Sequence, residues 1–126
     1  PDFAPAEGAP LLVAETSRPA SVVRTLGHDV GSGRFEYRID RENVDQFMAA
    51  IAKVEAIRRR NGASDWLVFR DLGEDGRFVE RFIIRSWAEY VRLRTRMTMA
   101  DREKQDRVER LQDPGVPVRV SRLIAT

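Results

Sequence analysis

Few residue types in this chain could do chemistry unaided. There is no cysteine and a single histidine, His28, so thiolate nucleophiles, disulfides, iron–sulfur clusters, Cys-based zinc sites and His-rich metal sites are all excluded. What remains is aromatic and cationic. Trp66, Trp87 and Tyr90 are candidates to line an aromatic pocket between a sheet and a helix, with Arg94 one turn beyond Tyr90 to clamp an anionic or phenolic oxygen. The same four residues also read as core aromatics and one arginine of the surface trio Arg92, Arg94, Arg96. His28 falls in the Gly-rich stretch 27–33 and reads as a solvated loop histidine. Gly31-Ser-Gly33 lacks the Gly-Lys-Ser/Thr ending of a phosphate loop. Glu80 and Arg81 are adjacent on a predicted strand, so they face opposite sides; Glu80 is expected to pair across the sheet with Arg70 or Arg38. Arg58–Arg60 close a predicted helix, where cations suit the helix dipole or could meet anionic lipid. No catalytic residue, metal site or cofactor is expected.

The chain that must position these residues has 126 amino acids, enough for one domain with a core of its own. Basic and acidic residues nearly cancel, 22 against 20, and are interleaved, so no one-sided stripe for nucleic acid is expected. No run free of charge exceeds seven residues, the length of Gly8–Ala14. A spanning helix needs about 20, so none is expected, and no signal peptide is expected either. Pro1 in place of a starting Met reads as a chain processed or cut from something longer.

Residues 1–33 read as a Pro/Ala/Gly-rich linker or arm, with an optional edge strand over 21–26 and a loop over 27–33; residues 1–20 are expected to be mobile or strapped across another subunit and to add little to stability. Residues 34–126 form the domain. Arg34–Ile39 alternates strictly and predicts a strand. Asp40 is placed to cap a helix whose apolar positions Val44, Phe47, Met48, Ile51, Val54 and Ile57 recur at three and four, and Asn61-Gly62 ends it. Trp66–Phe69 and Arg77–Arg85 predict a hairpin around Asp75-Gly76. Ser86 with Glu89, and Thr98 with Asp101, fit capping boxes. The second box starts a helix to Gln112 that carries Ala100, Lys104, Val108 and Leu111 on one face. Asp113-Pro-Gly115 stops it, and Val116–Ile124 is the last strand.

The order βαββαβ predicts an α+β ferredoxin-like sandwich with both helical segments on one face of a four-stranded antiparallel sheet. Yet both faces are apolar. Phe78, Phe82, Ile84, Trp66 and Val68 oppose Val79, Ile83, Leu67 and Phe69, with Trp87 read on the latter side. Helices can cover only one face, and the pattern does not say which. The other predicts a homodimer through the sheet.

Six segments in order resemble a known family: Phe35–Asp40, Ile57–Gly62, Trp66–Asp71, Gly76–Phe82 running into Ser86–Tyr90, Thr98–Arg102 and Arg122–Ile124. Together they resemble the soluble C-terminal domain of transmembrane secretion effectors, exporters of the major facilitator superfamily. The resemblance implies the dimeric α/β barrel of antibiotic-biosynthesis monooxygenases. It also implies a membrane part in the same full-length chain and a place at the cytoplasmic face of the membrane. Histidines that the family often carries on the second helix are replaced by Tyr90 and Arg94, so a base or metal ligand is not expected there. Two functions compete. One is a non-catalytic accessory or dimerisation domain of an exporter. The other is a small cofactor-independent monooxygenase acting on a quinol, polyketide or haem, with a small aromatic ligand in the barrel. The long arm before the first strand favours the exporter domain.

Overall fold

The computed structural model describes residues 30–126; the arm's expected edge strand and His28 lie outside them. Strand β1 (Gly31–Arg38) runs through the centre of the sheet, with Phe35 and Tyr37 buried on one face and Arg34, Glu36 and Arg38 half-buried on the other. A 3-10 turn (Arg41–Asn43), helix α1 (Val44–Ala52) and helix α2 (Val54–Arg60) lead to β2 (Ala63–Arg70) and β3 (Arg77–Ile84). Helices α3 (Trp87–Arg94) and α4 (Met99–Glu109) precede β4 (Arg119–Ile124). The strand order is β2-β3-β1-β4 with every neighbour antiparallel, the ferredoxin-like topology read from the sequence.

The helices take the face that carries Phe35, Tyr37, Phe78, Phe82 and Ile84, which with Phe47, Ile51, Val54 and Val108 form the core. Gly62 (φ 96°) and Gly76 (φ 82°) make the two turns that need a left-handed residue.

Several expectations are corrected. β1 starts at Gly31, inside the segment read as loop and arm. Gly31 and Gly33 signal a turn in sequence, but here they make room for rings: a Cβ on Gly33 would stand 2.3 Å from Phe82, and one on Gly31 2.0 Å from the Trp87 Nε1. The first helix is two, broken at Lys53, whose N–H reaches back to the Ala50 carbonyl at 3.2 Å with a tighter pitch. Asp40 makes no side-chain cap; its carbonyl accepts from the Asn43 N–H instead. Ser86 caps α3, but Glu89 turns away to Arg92, so that box is half formed, whereas the Thr98–Asp101 box is complete. Helix α4 stops at Glu109, and Ala100 and Lys104 are exposed; of the predicted face, Val108 is buried and Leu111 packs on the core. Met48 is also exposed.

One irregularity decides which way β2 faces. Between Ser64 and Leu67 the β2–β3 register slips by a residue, and Asp65 there has φ 54°. This β-bulge inverts the alternation. Downstream of it Trp66 and Val68 pack on the core, while Leu67 and Phe69 point to the open face, 57% and 46% exposed.

Candidate functional site

Three places in the domain concentrate side chains that could bind or react. The first contains the pocket read from the sequence. Trp87 drops onto Gly31 of β1, and Tyr90 lies a helical turn further along α3. Their rings meet edge-on at 5.7 Å, and Tyr90 stacks on Phe82 at 6.0 Å. Trp87 therefore lies on the helix-covered face with Phe82, not with Val79 and Ile83. The Arg94 guanidinium lies 5.9 Å from the Tyr90 ring. These three residues line one shallow cleft with Phe35, Val120 and Arg122. Trp66 does not join them; its indole Nε1 donates to Glu80 Oε2 at 2.9 Å, on the other side of the sheet's centre. The cleft encloses only about 10 Å3, as does its neighbour lined by Tyr37, Arg58, Arg94 and Glu109. A single water needs that much.

The second place is a charged cluster inside the core. Glu80 is completely buried and accepts from four donors: Arg58 Nε at 2.7 Å, Arg58 Nη2 at 3.3 Å, the Tyr37 hydroxyl at 3.0 Å and the Trp66 indole. The Arg58 guanidinium also lies over the Phe35 ring, 4.4 Å from its centroid. Burial alone would push the Arg58 pKa down, but the Glu80 carboxylate outweighs it and holds the cation charged. Burial, reinforced by the Glu80 charge, pushes the Tyr37 hydroxyl well up. The expected pairing of Glu80 with Arg70 or Arg38 is thus replaced by Arg58; Arg38 pairs with Glu74 on the hairpin. Two signals pointed to this cluster. Glu80 shares the parity of Phe78, Phe82 and Ile84, and Arg58 continues the spacing of Ile51 and Val54. Nearby, burial pushes Glu109 up to about 7, with Asp106 adding and Arg58 and Arg102 opposing.

The third place is the sheet face that carries no helix among the described residues. By register its rows are Leu123–Ser32–Ile83–Ser64, then Ser121–Arg34–Arg81–Leu67, then Arg119–Glu36–Val79–Phe69, with Arg38 and Arg77 at the hairpin end. Leu67, Phe69 and Leu123 are exposed; Val79 and Ile83 are half-buried. Glu36 bridges Arg34 at 3.0 Å and Arg77 at 2.8 Å, and Arg77 continues to Asp71 at 2.9 Å. Burial raises the Glu36 carboxyl, but the hydrogen bonds from Arg77 and Arg34 outweigh it and leave the group lowered.

The fold is a small ferredoxin-like α+β domain. Solved structures similar to it include a candidate antibiotic biosynthesis monooxygenase from Caulobacter crescentus, with TM-score 0.67 and 9% identity over 84% of this chain and 98% of that one. A variant of SnoaB, a cofactor-independent oxygenase from Streptomyces nogalater, gives TM-score 0.63 and 12% identity over 77% and 93%. A conserved protein from Methanosarcina mazei gives 0.66 and 10% over 82% and 99%. Identities this low establish the fold alone. The chain belongs to the transmembrane secretion effector family, whose model matches residues 19–126. No curated protein matches it. Among the described residues no helix is long and apolar enough to cross a membrane.

Proposed function

We propose that this chain is the accessory domain of a major facilitator superfamily exporter, non-catalytic, and that it pairs two copies of the transporter at the cytoplasmic face of the membrane. The observation that carries this reading is the open sheet face. Leu67, Phe69 and Leu123 are exposed on the side that no helix among the described residues covers, with Val79 and Ile83 between them. Burying such a side chain is worth about 1.5–3 kcal/mol, and a two-fold contact uses each residue twice. Membership of the secretion effector family supports the membrane-borne parent chain.

The competing reading, a cofactor-independent monooxygenase, draws on the fold of neighbours such as SnoaB. It would need Trp87, Tyr90 and Arg94 to admit an aromatic substrate. In this chain the Trp87 and Tyr90 rings fill the space above β1, which supports a packing role for both and leaves Arg94 at a cleft of about 10 Å3. The two readings part on one experiment. Equilibrium sedimentation of the chain and of Phe69→Asp tests pairing, and oxygen uptake with a panel of quinols and aromatic polyketides tests turnover. Pairing lost in Phe69→Asp, without oxygen uptake, supports the accessory domain; oxygen uptake abolished by Trp87→Ala would replace it with the enzyme.

A further inference from the structure

The two ends of the domain differ in how their arginines are answered. At the hairpin end Arg38 meets Glu74, Arg41 meets Asp75 and Arg77 meets Asp71. The other end is where β1 begins, in the row Gly31–Ile84–Ala63. There the last turn of α2 and the junction of α3 with α4 come together. Arg60 bridges Asp101 in the first turn of α4. A Cβ on Gly62 would lie 3.8 Å from the Leu93 side chain of α3.

Residues 90–102 hold four arginines and a single acid. That acid, Asp101, is buried and engaged by Arg60 and the Thr98 N–H. Arg59 pairs with Glu55, and Arg92 with Glu89. Arg96 and Arg102 are exposed and form no ion pair among the described residues. Between them in the chain stands Met99, 89% exposed as the first residue of α4, and Val91 of α3 is exposed as well. A methionine this exposed adds nothing to the core. Together with unanswered guanidinium groups it suits an anionic bilayer, where an apolar tip enters the acyl boundary and the cations stay among the phosphates. Nucleic acid would answer the arginines but offers Met99 and Val91 no apolar phase.

We infer that the corner formed by α2, α3 and α4 docks on an anionic lipid surface, with Met99 inserted and Arg96 and Arg102, flanked by Arg59, Arg60 and Arg92, on the headgroups. This rests on the membrane-borne parent chain of the reading above. The corner belongs to the helical layer, so pairing through the open face leaves it accessible on both copies.

Flotation of the full chain with lipid vesicles tests the contact. The chain is expected to float with vesicles of equal phosphatidylcholine and phosphatidylglycerol, not with phosphatidylcholine alone, and to be released by about 0.5 M salt. Arg96→Gln with Arg102→Gln should weaken binding about 25-fold, which is about fivefold for each charge removed. Met99→Asp should weaken it too, whereas Arg41→Gln at the hairpin end should leave it unchanged. The absence of cysteine lets Ala100→Cys carry an environment-sensitive dye. Its emission should shift to the blue on the anionic vesicles, while the same dye at Ala49→Cys on α1 should not move. No flotation, equal flotation with neutral vesicles, or a loss in Arg41→Gln as large as in the arginine pair overturns the proposal. So does a dye at position 100 that stays in water, or binding of duplex RNA in preference to vesicles. Sedimentation reads pairing separately. A chain that pairs but ignores vesicles refutes the lipid contact alone, and one that floats without pairing keeps the contact and refutes the dimer.

Discussion

Arg58 and Glu80 form an ion pair in the middle of the core, with Nε to Oε2 at 2.7 Å and side chains 6% and 0% exposed. It joins α2 to β3 between the helices and the sheet. The Phe35 ring below the guanidinium and the Tyr37 and Trp66 donors around the carboxylate leave no lone pair of Glu80 wasted.

Breaking that pair from one side strands a buried charge. Glu80→Gln or Arg58→Leu is expected to cost about 3–5 kcal/mol, while exchanging both residues for apolar ones of similar volume costs far less than the sum. Urea denaturation of the two single variants and the double variant measures this coupling. Additive losses would show that the pair does not act as a unit.

The bulge at Asp65 makes a second prediction. Asp65→Gly should leave stability unchanged or slightly improved, because φ 54° suits glycine. Asp65→Val should lose about 1–3 kcal/mol at such a backbone and disturb the Trp66 fluorescence, since Trp66 owes its inward direction to that residue. Thermal melts followed by emission read both effects.

The glycine hollow makes a third. Gly33→Ala places a methyl 2.3 Å from the Phe82 ring, and overpacking of this kind costs about 1–3 kcal/mol. Tyr90→Ala empties the space on the other side of Phe82, so combined with Gly33→Ala it should recover part of the loss. Chemical denaturation of the pair decides this.

A fourth prediction concerns pH. The Glu109 carboxyl is raised to about 7, mainly by burial, so the folded state prefers its neutral form. Its contribution is intact below the unfolded carboxylate value and is lost as pH rises from there through 7. Glu109→Gln should therefore match the parent at pH 4 and exceed it at pH 8, by an amount that its partial exposure to solvent damps. A parent chain equal to the variant at pH 8 would contradict this.

How much of this was legible follows residue by residue. Strict alternation in Phe35–Ile39 made the first strand and its faces legible, and the period of two assigned Phe78, Phe82 and Ile84 to one face and Val79 and Ile83 to the other. The Thr98–Asp101 box was legible because its spacing is local. What escaped was non-local. Glycine permits both turns and close approach, so Gly31 and Gly33 look like a loop until the Trp87 and Phe82 rings are seen above them. Glu80 was expected to pair across the sheet with Arg70 or Arg38, because its partner Arg58 is 22 positions away on a helix. Trp66 was grouped with Trp87 and Tyr90 by type, but strand order separates them.

The central claim is that the helix-free sheet face joins two copies of the domain, and sedimentation velocity of the chain at micromolar concentration tests it most directly. The account predicts a species of twice 14.4 kDa that reverts to monomer in Phe69→Asp or Ile83→Asp while Met48→Asp, an exposed change on the helix side, leaves it intact. A monomer at every concentration, or a dimer indifferent to Phe69 and Ile83, would contradict it.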